Sequence, residues 1–210
     1  MNVFELEKFI YGVSYHITMV RKVSSLILEE LLKKRNLAKS IKQISESLKI
    51  DYKNTFDSIK KISDSLNIKK IGNSNQITVS SKLTPDIFLA ETNRKESLLS
   101  NSNIKMIYDD LNSIKNPFFV AIVFGSYAKK DNNINSDIDL CIICDSSDLT
   151  NKIKETLGIY PFEVDLQVFT SDEFISMIKT KEFNIAHEIA TYGVVLKNIE
   201  SYYEVLKFGF

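Results

Sequence analysis

The sequence has no tryptophan, two cysteines and two histidines, and only three prolines and six glycines among its 210 residues. A disulfide scaffold or a structural zinc site needs more Cys and His than this, so both are excluded. Cys141 and Cys144 stand three residues apart in an apolar stretch. We therefore expect them to be reduced, buried thiols.

Long hydrophobic runs are also absent, because no stretch approaches the roughly 20 apolar residues that span a bilayer. The first residues, MNVFELEKFIYG, mix acids with apolar side chains, unlike a secretory signal. We expect a cytoplasmic protein with no membrane partner. The hydrophobic content of 44% is ample for buried cores, and the length suits one large domain or two small ones.

The net charge is zero, but the charges are unevenly divided. Residues 1–82 hold 15 Lys and Arg against 8 Asp and Glu, whereas residues 83–210 hold 12 against 19. This division favours two modules, a basic one suited to a polyanion and an acidic one that offers carboxylates to cations. Chance variation among solvated faces is the simpler alternative.

An amphipathic pattern opens the chain. Apolar residues recur at helical spacing over residues 3–35, which predicts one long helix or two shorter ones broken at Gly12. This apolar helix is compatible with a homodimer. The residues that form the pattern include Phe9, Val13, Ile17, Val20, Val23, Ile27 and Leu31.

Two more helices are predicted next. The first covers Ser40 to Leu48, where Ser40 and Gln43 have the spacing of a capping box. The second covers Tyr52 to Leu66 and is capped by Asp51. Its predicted inward face is Phe56, Ile59, Ile62 and Leu66, and its predicted solvent face is Lys53, Asn54, Thr55, Asp57, Ser58, Lys60 and Lys61.

A hairpin is predicted after these helices. Ile68 to Ile71 and Gln76 to Ser80 flank Gly72-Asn73-Ser74-Asn75, which supplies the turn. This order of elements over residues 20–82 resembles a winged helix-turn-helix domain. The resemblance implies that the third helix enters the DNA major groove and that the hairpin touches the backbone. It places near DNA the residues Lys53, Asn54, Thr55, Ser58, Lys61, Lys69 and Lys70. A small helical domain that binds only protein remains the alternative.

A helical connector is predicted over residues 83–115, with helices at Asp86–Thr92 and Ile104–Ile114. After Pro117 comes a continuous apolar run, residues 118–124, of the kind expected for a strand covered on both faces. This strand belongs to the third predicted unit, residues 116–210.

Three aspartates accompany the predicted strands of this unit. Asp137 and Asp139 begin a second apolar run, where alternation puts both on one face, and Asp165 lies in a third strand, residues 161–169. Clustered carboxylates repel one another and lose hydration, so they favour a bound cation. Mg²⁺ is the predicted occupant, because it prefers oxygen ligands and joins carboxylates to substrate phosphates.

Gly125 and Ser126 follow the first of these strands. Glycine lets a backbone approach a phosphate closely, and the serine hydroxyl can bind phosphate oxygens at a helix start. Ten residues separate this pair from Asp137-Ile138-Asp139. Gly-Ser, ten residues, Asp-x-Asp and a later strand aspartate resemble the minimal type of the nucleotidyltransferase superfamily related to DNA polymerase beta. The resemblance covers about residues 100–200.

The resemblance implies a role for each of these residues. Gly125, Ser126 and Lys129 would hold a nucleoside triphosphate, while Asp137, Asp139 and Asp165 would bind two Mg²⁺ ions, and Asp165 would assist deprotonation of the acceptor. The implied reaction transfers a nucleoside monophosphate, AMP from ATP, to a hydroxyl acceptor and releases pyrophosphate. Some small members are antitoxins that modify a partner toxin, which implies a protein acceptor coupled here to DNA binding.

Lys130 departs from the family pattern, because many members have Gly at this point of the loop. Its loop geometry, and with it full activity, is therefore in question. One alternative is a decayed site on a retained fold, although three surviving acids argue against unused, costly charge. Others are a non-catalytic regulator that binds nucleotide or a partner, and a plain interaction module with a basic surface.

The remaining polar features are predicted to be structural. Cys141 and Cys144 face opposite ways in a strand, which disfavours redox or metal chemistry. His187 is predicted to pack or lie at the surface, since no nucleophile pattern accompanies it. Glu163 either supports Asp165 or is solvated, and Tyr127 either packs or touches nucleotide.

The predicted fold class is therefore α+β in two domains. Residues 1–82 form the winged helix-turn-helix domain, and residues 116–210 form a mixed β-sheet with flanking helices.

Overall fold

The structure, a computed structural model, describes residues 23–115, 118–133 and 136–209. Most of the helix predicted over residues 3–35, and with it the surface for a homodimer, lies outside these residues. The described part of this segment is helical over residues 23–32 and is called α1. Within the described residues, no helix is long and apolar enough to cross a membrane.

The N-terminal unit continues with a short strand and two helices, β1 (Lys39–Ser40), α2 (Ile41–Leu48) and α3 (Tyr52–Lys61). A hairpin of β2 (Leu66–Ile71) and β3 (Ser74–Val79) completes it. The three strands form an antiparallel sheet in the order β1-β3-β2, so that the strand before α2 pairs with the last strand of the hairpin.

The capping box predicted for α2 is confirmed. Ser40 Oγ accepts from the N–H of Gln43, whose side chain accepts from the N–H of Ser40. These two contacts satisfy backbone donors that the first helical turn would otherwise leave unpaired. The predicted cap of α3 is confirmed too, because Asp51 Oδ1 accepts from the N–H of Asn54 at 2.9 Å.

The predicted extent and solvent face of α3 are partly wrong. The helix ends at Lys61, because Leu66 is already the first residue of β2 and pairs with Val79. Thr55 and Ser58, expected to face solvent, are buried. The Thr55 hydroxyl can be buried because it donates to the carbonyl of Asp51, four residues back, at 2.9 Å.

Two helices lead into the C-terminal unit, α4 (Pro85–Leu98) and α5 (Ser102–Ser113). Both were predicted, although α4 is longer than Asp86–Thr92. Pro85 occupies the first turn of α4, where its missing N–H costs nothing, and Thr84 caps the helix. The apolar face of α5 packs into the core of the C-terminal sheet.

The C-terminal unit contains a four-stranded mixed sheet in the order β6-β5-β4-β7. Among these described strands, β5 and β6 are parallel and are joined by the crossover helix α7, whereas the other neighbouring pairs are antiparallel. The predicted α+β class is therefore confirmed. In chain order its elements are β4 (Val120–Val123), α6 (Gly125–Lys129), β5 (Ile138–Ile143), α7 (Ser147–Leu157), β6 (Val164–Phe169), α8 (Ser171–Lys179), α9 (Ile185–Tyr192), β7 (Val194–Lys197) and α10 (Ile199–Gly209).

The two faces of this sheet bury different partners. Along β5, Leu140 and Ile142 point to a core shared with α5 and α7, whereas Cys141 and Ile143 point to a core shared with α8, α9 and α10. The second core continues into the apolar residues of α1 and of the N-terminal sheet. The two predicted units thus share one hydrophobic core.

A buried ionic network reinforces this contact. Glu91 of α4 accepts from Arg35 Nη2 at 2.6 Å and from Arg94 Nη1 at 2.9 Å. The hydroxyl of Tyr203, in α10, also donates to Glu91 at 2.9 Å. Burial alone would raise the pKa of Glu91, but Arg94 and Arg35 hold it below its ordinary value.

The same two arginines cap the end of α9. Arg35 donates from its backbone N–H to the carbonyl of Thr191 at 3.0 Å and from Nε to that of Ala190 at 3.2 Å. Arg94 Nη2 donates to the carbonyl of Tyr192 at 3.2 Å. The last carbonyls of a helix lack intrahelical donors and carry partial negative charge, so two guanidinium groups suit this position.

Candidate active site

The Gly-Ser turn begins α6 directly after β4. Gly125 has φ +61°, in the left-handed region that favours glycine. A Cβ at this position would overlap Oδ2 of Asp139 and lie 2.6 Å from its Cγ. The N–H of Phe124 also donates to the carbonyl of Asp139 at 3.0 Å. Glycine is therefore required here on two independent grounds, backbone conformation and space.

Asp139 and Asp165 occupy the same register on the neighbouring parallel strands β5 and β6. Residues in register on adjacent parallel strands present their side chains to the same face. The structure thus brings Asp165 beside Asp139, as the sequence analysis expected. Asp165 is exposed, and one of its oxygens accepts from Gln167 Nε2 at 3.0 Å. Asp137 is exposed and immediately precedes β5.

Electrostatics at Asp139 reflect this crowding. Burial raises the pKa of Asp139, and the neighbouring charge of Asp165 raises it further. The N–H of Ser126, which donates to the carboxylate, acts in the opposite direction, while Glu188 and Asp137 add to the rise. The ionised form of Asp139 is thus held in an environment that disfavours it, which a cation would reverse.

Lys129 is engaged by α9. Its ammonium contacts Glu188 Oε1 at 2.6 Å and lies 4.9 Å from the centroid of the Tyr192 ring. The hydrogen bond to Glu188 raises the pKa of Lys129, so this side chain stays charged. Sequence reasoning missed Glu188, because no local signal links residues that are 59 positions apart.

One of the comparisons with known proteins, a match to a protein family, covers the residues of this site. Residues 104–189 match the nucleotidyltransferase domain family. The matched range contains α5, the Gly-Ser turn and all three aspartates, and it ends within α9. It supports membership of the C-terminal unit in the nucleotidyltransferase superfamily.

No curated protein matches the chain. A crystal structure of a toxin-antitoxin with AMP-PNP is 17% identical, with a TM-score of 0.31, and covers 50% of this chain and 79% of that chain. This likeness is too low to inform the fold or function of the present chain.

The departure at Lys130 from the nucleotidyltransferase pattern has a structural outcome. Lys130 takes φ +62° and ψ +34°, a left-handed conformation that glycine adopts without strain. Its N–H closes α6 by bonding the carbonyls of Ser126 and Tyr127. The lysine therefore does not prevent the left-handed turn that ends α6.

The described part of the C-terminal unit contains no closed cation cage. Among the residues described, no three His, Cys, Asp or Glu side chains converge closely enough to hold a metal ion. Asp139 and Asp165 nevertheless suit Mg²⁺, which keeps several waters and needs only one or two carboxylates beside substrate phosphates. The donors fit an ion that arrives with a nucleotide.

A cavity of about 380 Å³ adjoins Asp137. Its wall includes Tyr127, Ser136, Phe162 and Glu163. The hydroxyl of Tyr127 lies 3.4 Å from the carbonyl of Ser136, so this ring both packs and borders the cavity. The cavity thus has both apolar and polar surface next to Asp137.

The other singled-out residues are structural. Cys141 and Cys144 are buried and unpaired, as expected, and burial raises the pKa of the Cys141 thiol. His187 caps α9, since its Nδ1 accepts from the N–H of Asn184, and its Nε2 lies 3.0 Å from the carbonyl of Ile178. Neither feature takes part in the candidate site.

The predicted DNA-facing residues separate into two groups. Lys53, Asn54 and Lys61 are exposed on α3, and Lys69 and Lys70 are exposed on β2. Because Thr55 and Ser58 are buried, they cannot belong to the same surface without a rearrangement.

Proposed function

We propose that the chain is a Mg²⁺-dependent nucleotidyltransferase that moves a nucleoside monophosphate, AMP from ATP, to a hydroxyl acceptor. One observation carries the proposal above the others: Asp139 and Asp165 share a register beside the Gly-Ser turn. Paired carboxylates next to a phosphate-binding turn are what phosphoryl displacement requires. The family match at residues 104–189 supports the same chemistry.

Each residue of the site receives a role in this proposal. Gly125 and Ser126 hold the triphosphate through the backbone and hydroxyl at the start of α6, and Lys129 neutralises its charge. Asp137, Asp139 and Asp165 would hold two Mg²⁺ ions, and these would neutralise charge on the reacting phosphate. Asp165, which is exposed, accepts the proton of the acceptor.

The reaction is an in-line displacement in which the acceptor oxygen attacks the α-phosphorus. A bond from this oxygen to phosphorus forms, and the bond from the α-phosphorus to the bridging oxygen breaks. Pyrophosphate leaves with the electron pair, and the hydroxyl proton passes to the Asp165 carboxylate. The Gly125 turn fixes the phosphate so that the attacking oxygen and leaving group can align.

The acceptor that we propose is a protein hydroxyl, as in an antitoxin that modifies its toxin. We propose that a partner protein or the N-terminal unit supplies the surface that holds the acceptor. We propose that the protein acts in the cytoplasm, where ATP and Mg²⁺ are plentiful.

The test uses the full chain with Mg²⁺, each nucleoside triphosphate labelled at the α-phosphate, and candidate partner proteins. We expect label on a partner or on the chain itself, together with pyrophosphate release, and preference for ATP. Asp139→Asn should abolish both signals, whereas Asp109→Asn, on the exposed face of α5, should retain them. Equal label transfer by wild type and Asp139→Asn would contradict the site.

A second function, DNA binding by the N-terminal unit, is favoured by its topology. The strand β1 and the two hairpin strands form a small sheet in the order β1-β3-β2, and the helices α2 and α3 lie between β1 and the hairpin in the chain, as in a winged helix-turn-helix. We propose that Lys53, Asn54 and Lys61 approach the major groove and that Lys69 and Lys70 of the hairpin contact phosphates. Thr55 and Ser58, which are buried, then belong to the side of α3 that packs against the protein and not to the side that faces DNA.

Fluorescence anisotropy with duplex DNA at several salt concentrations tests this second function. Each phosphate contact steepens the fall of affinity with salt. Lys69→Gln with Lys70→Gln should flatten that slope by about two contacts, while Lys152→Gln with Lys154→Gln on α7 should not. Salt-sensitive DNA binding without any pyrophosphate release would favour the alternative, a non-catalytic regulator on a nucleotidyltransferase fold.

A further inference from the structure

A cleft of about 530 Å³ lies between the N-terminal unit and the nucleotidyltransferase domain. One wall comes from α1 and the turn that follows it, with Lys33 and Lys34. The opposite wall comes from the end of α6, with Lys129 and Lys130. Its volume falls within the range of cavities that hold small organic ligands.

The lining is positively charged overall, because five Lys and Arg side chains (Lys33, Lys34, Arg94, Lys129 and Lys130) face two acidic ones, Glu29 and Asp131. Lys34 is exposed and forms no ion pair with another described residue. Lys130 Nζ donates to the hydroxyl of Ser97 at 3.1 Å and forms no ion pair within the described part of the chain. Lys33 and Lys129 already have carboxylate partners, Glu30 and Glu188. An anion between the walls would therefore meet two ammonium groups that form no ion pair with a described residue, Lys34 from one unit and Lys130 from the other.

Between the charged walls the lining is largely apolar and aromatic. It is formed by Leu98, Tyr127, Ala128, Tyr192 and Val194. An apolar interior with a few charged groups at its edges is typical of sites that bind a ring bearing an anionic group. Lysine binds phosphate as a point charge. The chemistry thus matches a nucleoside phosphate better than a purely inorganic anion.

The cleft is separate from the carboxylate site. Gly125, Ser126, Asp137, Asp139 and Asp165 are not among its lining residues, whereas the end of the same short helix is. Lys129 is the link between the two regions, because it lines the cleft and pairs with Glu188. Glu188 in turn is one of the charges that act on Asp139.

We propose that this cleft is a second nucleotide-binding site, in which a nucleoside phosphate bridges the N-terminal unit and the catalytic domain without a metal ion. Its phosphates contact Lys34 and Lys130, and its base lies on the apolar lining near Tyr192. Such a ligand also attracts Lys129 away from Glu188. Binding in the cleft and binding at the catalytic carboxylates are therefore coupled, and by linkage the coupling is reciprocal.

Calorimetry on the full chain tests the proposal with ATP as the probe. In EDTA, the Asp137→Asn, Asp139→Asn variant should still bind one equivalent of ATP, because the cleft needs no metal ion. Adding Lys34→Glu and Lys130→Glu should weaken that binding by on the order of tenfold or more, since each reversal replaces attraction by repulsion. Adenosine, which lacks phosphates, should bind far more weakly than ATP.

The matched control is Lys152→Glu with Lys154→Glu, which makes the same charge change on the exposed face of α7. Circular dichroism should show that both double variants are folded. A lysine-to-glutamate cleft variant that binds ATP as tightly as the α7 control overturns the proposal. So does the absence of metal-independent ATP binding, or equal affinity for adenosine and ATP.

Photolabelling gives an independent reading of position. With 8-azido-ATP in EDTA, the label should appear on the peptide that contains Tyr192, because Tyr127 borders both this cleft and the cavity beside Asp137. Label found only on peptides from α7 or β6 would place the bound nucleotide elsewhere and overturn the assignment.

Discussion

The carboxylate of Asp139 lies against the Cα of Gly125, in the space that a side chain at residue 125 would occupy. Gly125→Ala should therefore displace Asp139 and abolish Mg²⁺-dependent nucleotide binding. It should also lower the free energy of unfolding by more than the roughly 1–2 kcal/mol of a left-handed alanine, because a steric clash is added. Urea denaturation and calorimetry with Mg²⁺ and ATP measure the two effects.

Gly72→Ala is the matched control for this change. Gly72 has nearly the same φ, +58°, but no atom lies within 4 Å of the position of an added Cβ. It should lose only the conformational part, about 1 kcal/mol, and keep nucleotide binding. If both variants bind nucleotide equally well, the close approach of Asp139 to Gly125 is not needed for nucleotide binding.

The raised pKa of Asp139 predicts the direction in which this residue changes the stability of the fold. Because burial and Asp165 raise the folded-state pKa above the unfolded value, ionised Asp139 disfavours the folded state at neutral pH. Asp139→Asn should therefore raise the melting temperature at pH 7. The gain should shrink as pH falls through the raised pKa towards the ordinary range of aspartate, where wild-type Asp139 is itself protonated.

Asp139→Asn should lose activity although it gains stability. The neutral amide that Asp139→Asn introduces cannot bind a cation as a carboxylate does, so pyrophosphate release should be lost although stability increases. Differential scanning calorimetry over a pH series, paired with a pyrophosphate assay, separates these effects. A variant that is less stable than wild type at pH 7 would show that Asp139 is held by favourable contacts instead.

Glu188 is expected to compete with nucleotide for Lys129. Glu188→Gln removes the charge that holds Lys129 and also one of the charges that raise the pKa of Asp139. KM for the triphosphate should fall by about two- to fivefold, the value of an exposed ion pair. The acid limb of the pH–rate profile should move to lower pH.

Lys129→Met provides the second side of this double-mutant cycle. In that background Glu188→Gln should no longer lower KM, because the ammonium for which Glu188 and the nucleotide compete is gone. The shift of the acid limb of the pH–rate profile should remain. A rise in KM for the single Glu188→Gln variant would instead assign Glu188 a supporting role in nucleotide binding.

Removal of the charge of Glu91 should lower the free energy of unfolding strongly. Glu91→Gln leaves the buried guanidinium groups of Arg35 and Arg94 without a counter-charge, which costs about 3–5 kcal/mol. Since its folded-state pKa is depressed, the contribution of Glu91 is present above the ordinary pKa of glutamate and is lost as pH falls through the folded value. Urea denaturation at several pH values measures both.

Asp109→Asn breaks an exposed ion pair with Lys105 and is the control for Glu91. It should cost at most about 1 kcal/mol. Similar losses for the two variants would mean that the buried network contributes no more than a surface pair.

Lys130→Gly should stabilise the protein. Lysine at φ +62° carries a conformational cost that glycine avoids, and the greater freedom of unfolded glycine offsets part of the gain. The net increase should be about 0.5–1 kcal/mol in the free energy of unfolding. Lys49→Gly, at φ +55° after α2, should raise the free energy of unfolding by a similar amount. A lower free energy of unfolding in both variants would show that these two lysines carry no conformational strain.

Local sequence signals predicted the parts of this protein that depend on near neighbours. The Ser40–Gln43 capping box spans four residues, and the placement of Asp139 follows from strand alternation. Partners far apart in sequence could not be predicted. Arg35 and Glu91 are 56 residues apart, and nothing in the periodicity of α4 indicates that this acid is buried.

The error on α3 has a similar cause. Helical periodicity identified Ile59 and Ile62 as buried, but it treated every polar residue of the helix as solvated. Thr55 is buried because its hydroxyl is satisfied within the helix itself. The side on which α2 and the hairpin pack, and hence which polar residues they cover, is a tertiary property that the sequence pattern does not contain.

Arginine caps on the last turn of α9 make the C-terminal unit dependent on the chain that precedes it. A fragment cut to the family boundaries, residues 104–189, would lose Arg35, Glu91 and Arg94 together with α10. It would also end before the last turn of α9 is complete, and one apolar face of the sheet would lose the cover that α1 and α10 give it. The C-terminal unit of this protein is therefore not a portable module, because its architecture is completed by residues outside the range that matches the nucleotidyltransferase domain family.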